Sequence, residues 1–346
     1  MNQSGTSPAS DTPAQSAKDE LHQQIAEELA VPVRESVEWL AQEVAAQHGD
    51  AVLGVLFYGS CLRKKTDEGV LDFWVIVDEY SSAYKSWLPA LVNPIAPPNV
   101  FYLEREYAVP TSDNEAEDAG PTTLRTKYGV ISREAFAQGS SLRAWHPYIW
   151  ARFAQPARLV VCRDEAARHF FRDAIANAVI SFVGRLACQL PHRDGLFRFS
   201  LNAFWQEAFR HTYDSERRPE ATDSILQLYH EDEARYDAVG ACAFKILAAE
   251  GHFETATEHP GAFAVEIPNH AAQKRRWGWM RSYARGLGLV RLLKTAFTFG
   301  DWVPYVLWKL ERHTGRKIEL TERQRKHPLI FAWPVIIPLI RKRNLR

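Results

Sequence analysis

Chemistry in this 346-residue chain begins at Gly59-Ser60, followed by a lone strand carboxylate, Asp72. Gly59 lets the backbone approach a triphosphate with no Cβ in the way, and Ser60 offers a hydroxyl and an amide to phosphate oxygens. A helix beginning there would add free N–H groups to the anion site. Asp72 would hold Mg²⁺ bridging the phosphates. The same residues also fit an ordinary turn between two buried strands, since turns use glycine and serine routinely. Alternation puts Trp74 on Asp72's side of its strand, and Asp78, also on that side, lies about 20 Å further along, too far to share an ion.

The elements around these residues predict an α/β (α+β) domain with a mixed sheet. "AVLGVLFYG" reads as a buried strand stopping at a glycine, "VLDFWVIVD" as a second, "NVFYLEREYAV" as a third, and "LRTKYGVISREAF" as a strand leading into a helix. "PARLVVCRD" is the last clear strand. Ahead of them, apolar residues at helical spacing predict one or two helices broken at Val31-Pro32 and ending by Gly49. The expected division is a disordered tail over 1–20, the sheet domain over 21–164, a helical domain over 165–270 and C-terminal helices with a membrane-contacting segment over 271–346. "HFETATEHPGAFAVEIPNHAA" reads as loop or a small β element.

Lysine plus arginine equals aspartate plus glutamate, 42 each, so no global field draws in nucleic acid, and none is expected as a partner. Charge is nonetheless uneven: "DNEAED" is acidic, while "QKRRWGWMRSYAR" and "RKRNLR" are basic. Four scattered cysteines argue against a zinc site or a disulfide framework and for a reducing cytoplasm. The start has neither a basic stretch nor an apolar core, so no secretory signal is read there. The longest apolar run, "LIFAWPVIIPLI", is 12 residues, short of the roughly 20 that span a bilayer.

Strand, Gly-Ser, short polar segment and Asp-bearing strand resemble the nucleotidyltransferase superfamily related to DNA polymerase β. "FYGSCLRKK", "VLDFWVIVD", "TKYGVIS" and "WHPYIWARFAQPARLV", in that order, resemble more closely the translocator assembly and maintenance type of mitochondrial phosphatidate cytidylyltransferase, here as a bacterial member. The likeness covers about residues 50–162 and continues weakly through "TYDSERRPE". It implies that CTP and phosphatidate give CDP-diacylglycerol and pyrophosphate with Mg²⁺ as cofactor, in the cytoplasm and peripheral on the inner face of the cell membrane. Carried over by position, Gly59 and Ser60 bind the triphosphate, Asp72 the metal and Lys127 a phosphate. Cys61 stands where the family has a second glycine, and Ala154 beside a lost Gly-Arg order, with Arg152 the nearest cation.

A phosphate monoester is already largely anionic at neutral pH, so such an enzyme needs no base to prepare its acceptor. It needs positive charge instead, and Arg63, Lys64, Lys65, Lys127 and Arg217 are the candidates, each also readable as solvated surface charge. Glu104, on the third strand, is a candidate second metal ligand. Tyr213, Glu216 and Arg217 could recognise the base or ribose, or merely cap a helix through Ser215. The C-terminal third interleaves Arg and Lys with Trp, Leu and Phe, a composition suited to anionic membrane surfaces and also to a packed core helix. Two other readings stand beside these: nucleotidyl transfer to a soluble small molecule or protein side chain, and a non-catalytic membrane-associated protein on a degenerate nucleotidyltransferase fold.

Overall fold

The computed structural model describes residues 13–84, 93, 96–108, 121–193, 196–216, 222–259 and 262–298. Helices α1 (Pro13–Ala30) and α2 (Glu35–Ala46) precede strand β1 (Val52–Tyr58), the single-turn helix α3 (Ser60–Arg63) and β2 (Val70–Val77). Strands β3 (Asn99–Tyr107) and β4 (Thr122–Ser132), helices α4 (Arg133–Ser140) and α5 (Trp150–Phe153), and strand β5 (Ala157–Cys162) follow. The five strands form one sheet in the order β3-β4-β2-β1-β5, parallel between β2 and β4 and antiparallel elsewhere.

Both faces of this sheet are covered, which is why β1 and β2 read as nearly continuous apolar runs. Leu71, Phe73, Val75 and Val77 of β2 face one core with Val37, Leu40 and Val44 of α2. Trp74 and Ile76 face the other, with Leu21 and Ile25 of α1 and with α6 (Glu165–Leu186), whose N-cap Asp164 accepts from the Ala167 amide at 2.7 Å. A Cβ on Gly54 of β1 would lie 2.6 Å from the Phe171 ring, so glycine there lets α6 sit directly on the sheet.

Beyond α6 come β6 (Leu196–Phe199), α7 (Leu201–Glu216), α8 (Thr222–His230), α9 (Glu233–Ala249), the hairpin β7 (Thr255–His259) and β8 (Ala262–Glu266), and the 29-residue helix α10 (His270–Thr298). Strands β6, β8 and β7 pair as a small antiparallel sheet.

Three expectations change. Residues 13–20, predicted within a disordered tail over 1–20, are helical instead, because Ala17, Leu21, Ile25 and Leu29 bury one stripe of α1. The helical segment from 165 has no core of its own: Ile175, Phe182, Trp205 and Phe244 join Leu56 and Trp74 of the sheet in one cluster. The buried pair of Arg235 on α9 and Glu28 on α1 (2.6 Å) ties these parts together, and Glu28 also accepts the Ala157 amide of β5 at 2.9 Å. Lastly, β6 interrupts a stretch that reads as helical almost throughout. The loop "DNEAED" and the apolar run "LIFAWPVIIPLI" lie outside the described residues.

Candidate active site

One row of residues crosses four strands. Tyr58 of β1 lies opposite Asp72 of β2, Asp72 opposite Lys127 of β4, and Lys127 opposite Tyr102 of β3. Residues directly opposite share a face, so this row projects from the face that carries Trp74, at the end of the sheet next to the Gly59 turn. Lys127 Nζ is 3.0 Å from Asp72 Oδ1, both part-exposed. Trp74, on Asp72's side as alternation requires, is buried and donates from Nε1 to the Tyr58 hydroxyl at 3.2 Å. A core indole thus fills the position two residues beyond Asp72 on the same face.

Gly59 joins β1 to α3 with φ +91° and ψ −162°, a region essentially confined to glycine. A Cβ there would sit 2.9 Å from Asp72 Oδ2, so any side chain at this position would force the carboxylate to shift. Ser60 opens α3 and is exposed. The turn therefore presents open backbone beside a carboxylate and an ammonium, a geometry able to take a phosphate chain and a cation together.

A second cluster adjoins the row. Arg152 of α5 makes a bidentate pair with Glu216 at the end of α7, 2.8 Å on both arms and largely buried. Burial is the largest influence and depresses the guanidinium, but Glu216 together with Tyr148 and Tyr58 holds Arg152 above its ordinary value. The Arg152 and Arg291 guanidiniums lie 3.7 and 3.8 Å from the centre of the Tyr148 ring. Arg291 of α10 also donates to the Pro97 carbonyl at 2.9 Å and approaches His146 Nε2 at 3.4 Å. Burial, then the Arg291 charge, pushes His146 down to about 4. The Tyr58 hydroxyl links the clusters: burial and then Asp72 raise it, while Lys127 and Arg152 oppose them.

The other sequence candidates are placed as follows. Arg63 turns away from the row to Glu231 (2.6 Å) and Gln155 (3.5 Å). Lys64 and Lys65 are exposed just past α3. Tyr213 is core, at 4% exposure. Ser215 donates to the Thr212 carbonyl at 2.6 Å within α7. Arg217 lies outside the described residues. Glu104 is paired with Arg125 at 3.2 Å and accepts from the Tyr102 hydroxyl at 2.9 Å. Tyr102, not Glu104, is in Asp72's row, which sets Glu104 about 7 Å further along β3.

Among the described residues, no group of three or more His, Cys, Asp or Glu side chains forms a metal site. Asp72 alone still suits Mg²⁺, which typically binds through one or two carboxylates with the rest of its shell from substrate phosphates and water. Sequence reasoning gave no role to Tyr58, His146 and Tyr148, although they lie within the quoted stretches "FYGSCLRKK" and "WHPYIWARFAQPARLV", nor to Arg291, which only packing brings beside them. No protein-family model and no curated protein matches the chain.

Proposed function

We propose that this protein is a nucleotidyltransferase that joins CTP to phosphatidate, giving CDP-diacylglycerol and pyrophosphate. The observation that carries the nucleotidyl part is the fit of Gly59 against Asp72, with Lys127 at 3.0 Å, at the ends of adjacent strands. The choice of CTP and phosphatidate follows the resemblance of the motifs. A phosphatidate oxygen attacks the α-phosphorus of CTP, and the bond from that phosphorus to the bridging oxygen breaks as pyrophosphate leaves. The attacking phosphate is already anionic, so one carboxylate and no base are sufficient. Backbone at Gly59 and the amide and hydroxyl of Ser60 orient the triphosphate, and Lys127 offsets its charge. Asp72 would hold Mg²⁺, which when bound supplies charge neutralisation across the phosphates.

A bilayer acceptor is supported by α10. Trp279, Tyr283 and Val290 fall within about 40° of one another at 100° per residue. Trp279 is 74% exposed and Tyr283 52%, with exposed Leu289 beside them and Arg275 and Arg276 on the preceding turn. Aromatic and apolar residues flanked by arginine suit shallow insertion among anionic headgroups. No helix among the described residues is long and apolar enough to cross a membrane, and peripheral attachment to the inner face of the cell membrane is part of the proposal.

The test supplies labelled CTP with either phosphatidate vesicles or soluble glycerol 3-phosphate. Label entering the lipid phase only with phosphatidate supports the proposal; transfer to the soluble acceptor alone moves the enzyme to small molecules. A second reading, nucleotide binding without turnover, is favoured by Lys127 already neutralising Asp72, and would give CTP binding with no product from any acceptor.

A further inference from the structure

Away from the Asp72 row, a cavity of about 470 Å³ opens between the segment before α5, the end of α6 and the first half of α10. Arg143, Arg185 and Arg276 line it, together with apolar Leu142, Trp277 and Met280. Among the described residues no carboxylate pairs with Arg143, Arg185 or Arg276, and the Arg276 guanidinium lies 5.5 Å from the centroid of the Trp145 ring. His252, another lining residue, has Glu250 3.9 Å away.

Behind the wall, two buried donors, Arg185 Nε and the indole Nε1 of Trp277, a residue only 4% exposed, have no hydrogen-bond acceptor among the described residues. A buried N–H without an acceptor is costly and uncommon. Like charge adds to the cost, for burial and then Arg276 push the Arg185 guanidinium down to about 10, leaving it charged at neutral pH. An ordinary core would have placed a carboxylate or a carbonyl among these groups. Three guanidinium-bearing side chains converging on one cavity suit phosphate oxygens, which arginine binds bidentately. The volume exceeds what inorganic phosphate fills and falls within the usual range of small-molecule sites. The apolar wall suits the organic part of an ester.

We infer that this cavity binds a phosphate ester, its phosphate on Arg143, Arg185 and Arg276 and its organic part against Leu142, Trp277 and Met280. The site is separate from Gly59, Asp72 and Lys127 and does not depend on nucleotidyl transfer. The ester can be a soluble metabolite or the headgroup of an anionic lipid met where α10 touches a bilayer.

Titration calorimetry with glycerol 3-phosphate, and flotation with phosphatidylglycerol against phosphatidylcholine vesicles, separate the two sources in the full chain. Arg185→Gln and, at the cavity rim, Arg276→Gln are compared with wild type; neither breaks an ion pair, and Arg276→Gln lies at an exposed position where folding is not at stake. Loss of roughly ten- to hundred-fold in affinity for glycerol 3-phosphate assigns a soluble ester. No soluble binding, but a several-fold loss of preference for anionic vesicles in both variants, assigns a headgroup. Wild-type behaviour of both variants towards both probes overturns the inference, whatever the activity with CTP.

Discussion

Replacing Gly59 by alanine isolates the contact on which the candidate site is built. The backbone at φ +91° and ψ −162° disfavours any side chain by about 1–3 kcal/mol. The new methyl would also sit 2.9 Å from Asp72 Oδ2, 3.4 Å from its Cβ and 3.5 Å from its Cγ. Only Oδ2 is closer than van der Waals contact, so the carboxylate must turn to clear it, and that turn weakens the bond from Lys127 to Oδ1. The Asp72–Lys127 pair is part-exposed and contributes at most about 1 kcal/mol, so the total cost is roughly 1–4 kcal/mol. Urea unfolding of the wild type, Gly59→Ala, Asp72→Ala and the double variant divides this sum. In the Asp72→Ala background the carboxylate clash is gone, and Gly59→Ala should cost about 1 kcal/mol less than in wild type. Independent sites add to within about 0.3–0.5 kcal/mol. Strict additivity, or a Gly59→Ala protein as stable as wild type, would refute the contact and the phosphate cradle with it.

Removing Glu216 alone should destabilise by about 3–5 kcal/mol, since Arg152 is left buried without its carboxylate, while an Arg152→Met/Glu216→Met double variant should recover much of that loss in urea midpoints. His146 is held down to about 4, so the unfolded chain takes up a proton near pH 6.5 that the fold refuses until about pH 4. Stability from this group is therefore lost as pH falls from about 6.5 to 4, by up to roughly 3 kcal/mol, and His146→Gln should flatten that part of the denaturation profile relative to wild type. Trp279→Ala, at an exposed position, should leave thermal stability within about 0.5 kcal/mol of wild type yet weaken binding to phosphatidate-containing vesicles several-fold; unchanged sedimentation with vesicles would remove α10 from the membrane surface.

The sheet was legible because its signals are local. β1 and β2 are runs of β-branched and aromatic residues, and Gly59 ends the first where its conformation demands glycine. Side-chain alternation likewise foretold that Trp74 would share Asp72's face. What local pattern could not give was register. Whether Glu104 or Tyr102 faces Lys127 depends on how β3 aligns with β4, and a shift of two residues separates a metal ligand from a partner of Arg125. Arg152 and Glu216 stand 64 positions apart and meet only because α5 and α7 both pack on α6. Arg63 beside Gly-Ser read as a phosphate contact, yet Glu231 lies within reach and takes its charge. The four-residue β6 falls below the length at which alternation can be told from a helix face.

The central claim rests on Asp72, and product formation with an Asp72→Asn variant tests it most directly. Purified wild-type protein with labelled CTP, Mg²⁺ and phosphatidate vesicles is expected to yield a lipid-extractable cytidine nucleotide and pyrophosphate, and Asp72→Asn, similar in volume, to lose at least about a hundred-fold in rate. A folded Asp72→Asn protein that makes the same product at the wild-type rate, or a wild type that makes none, would contradict the account.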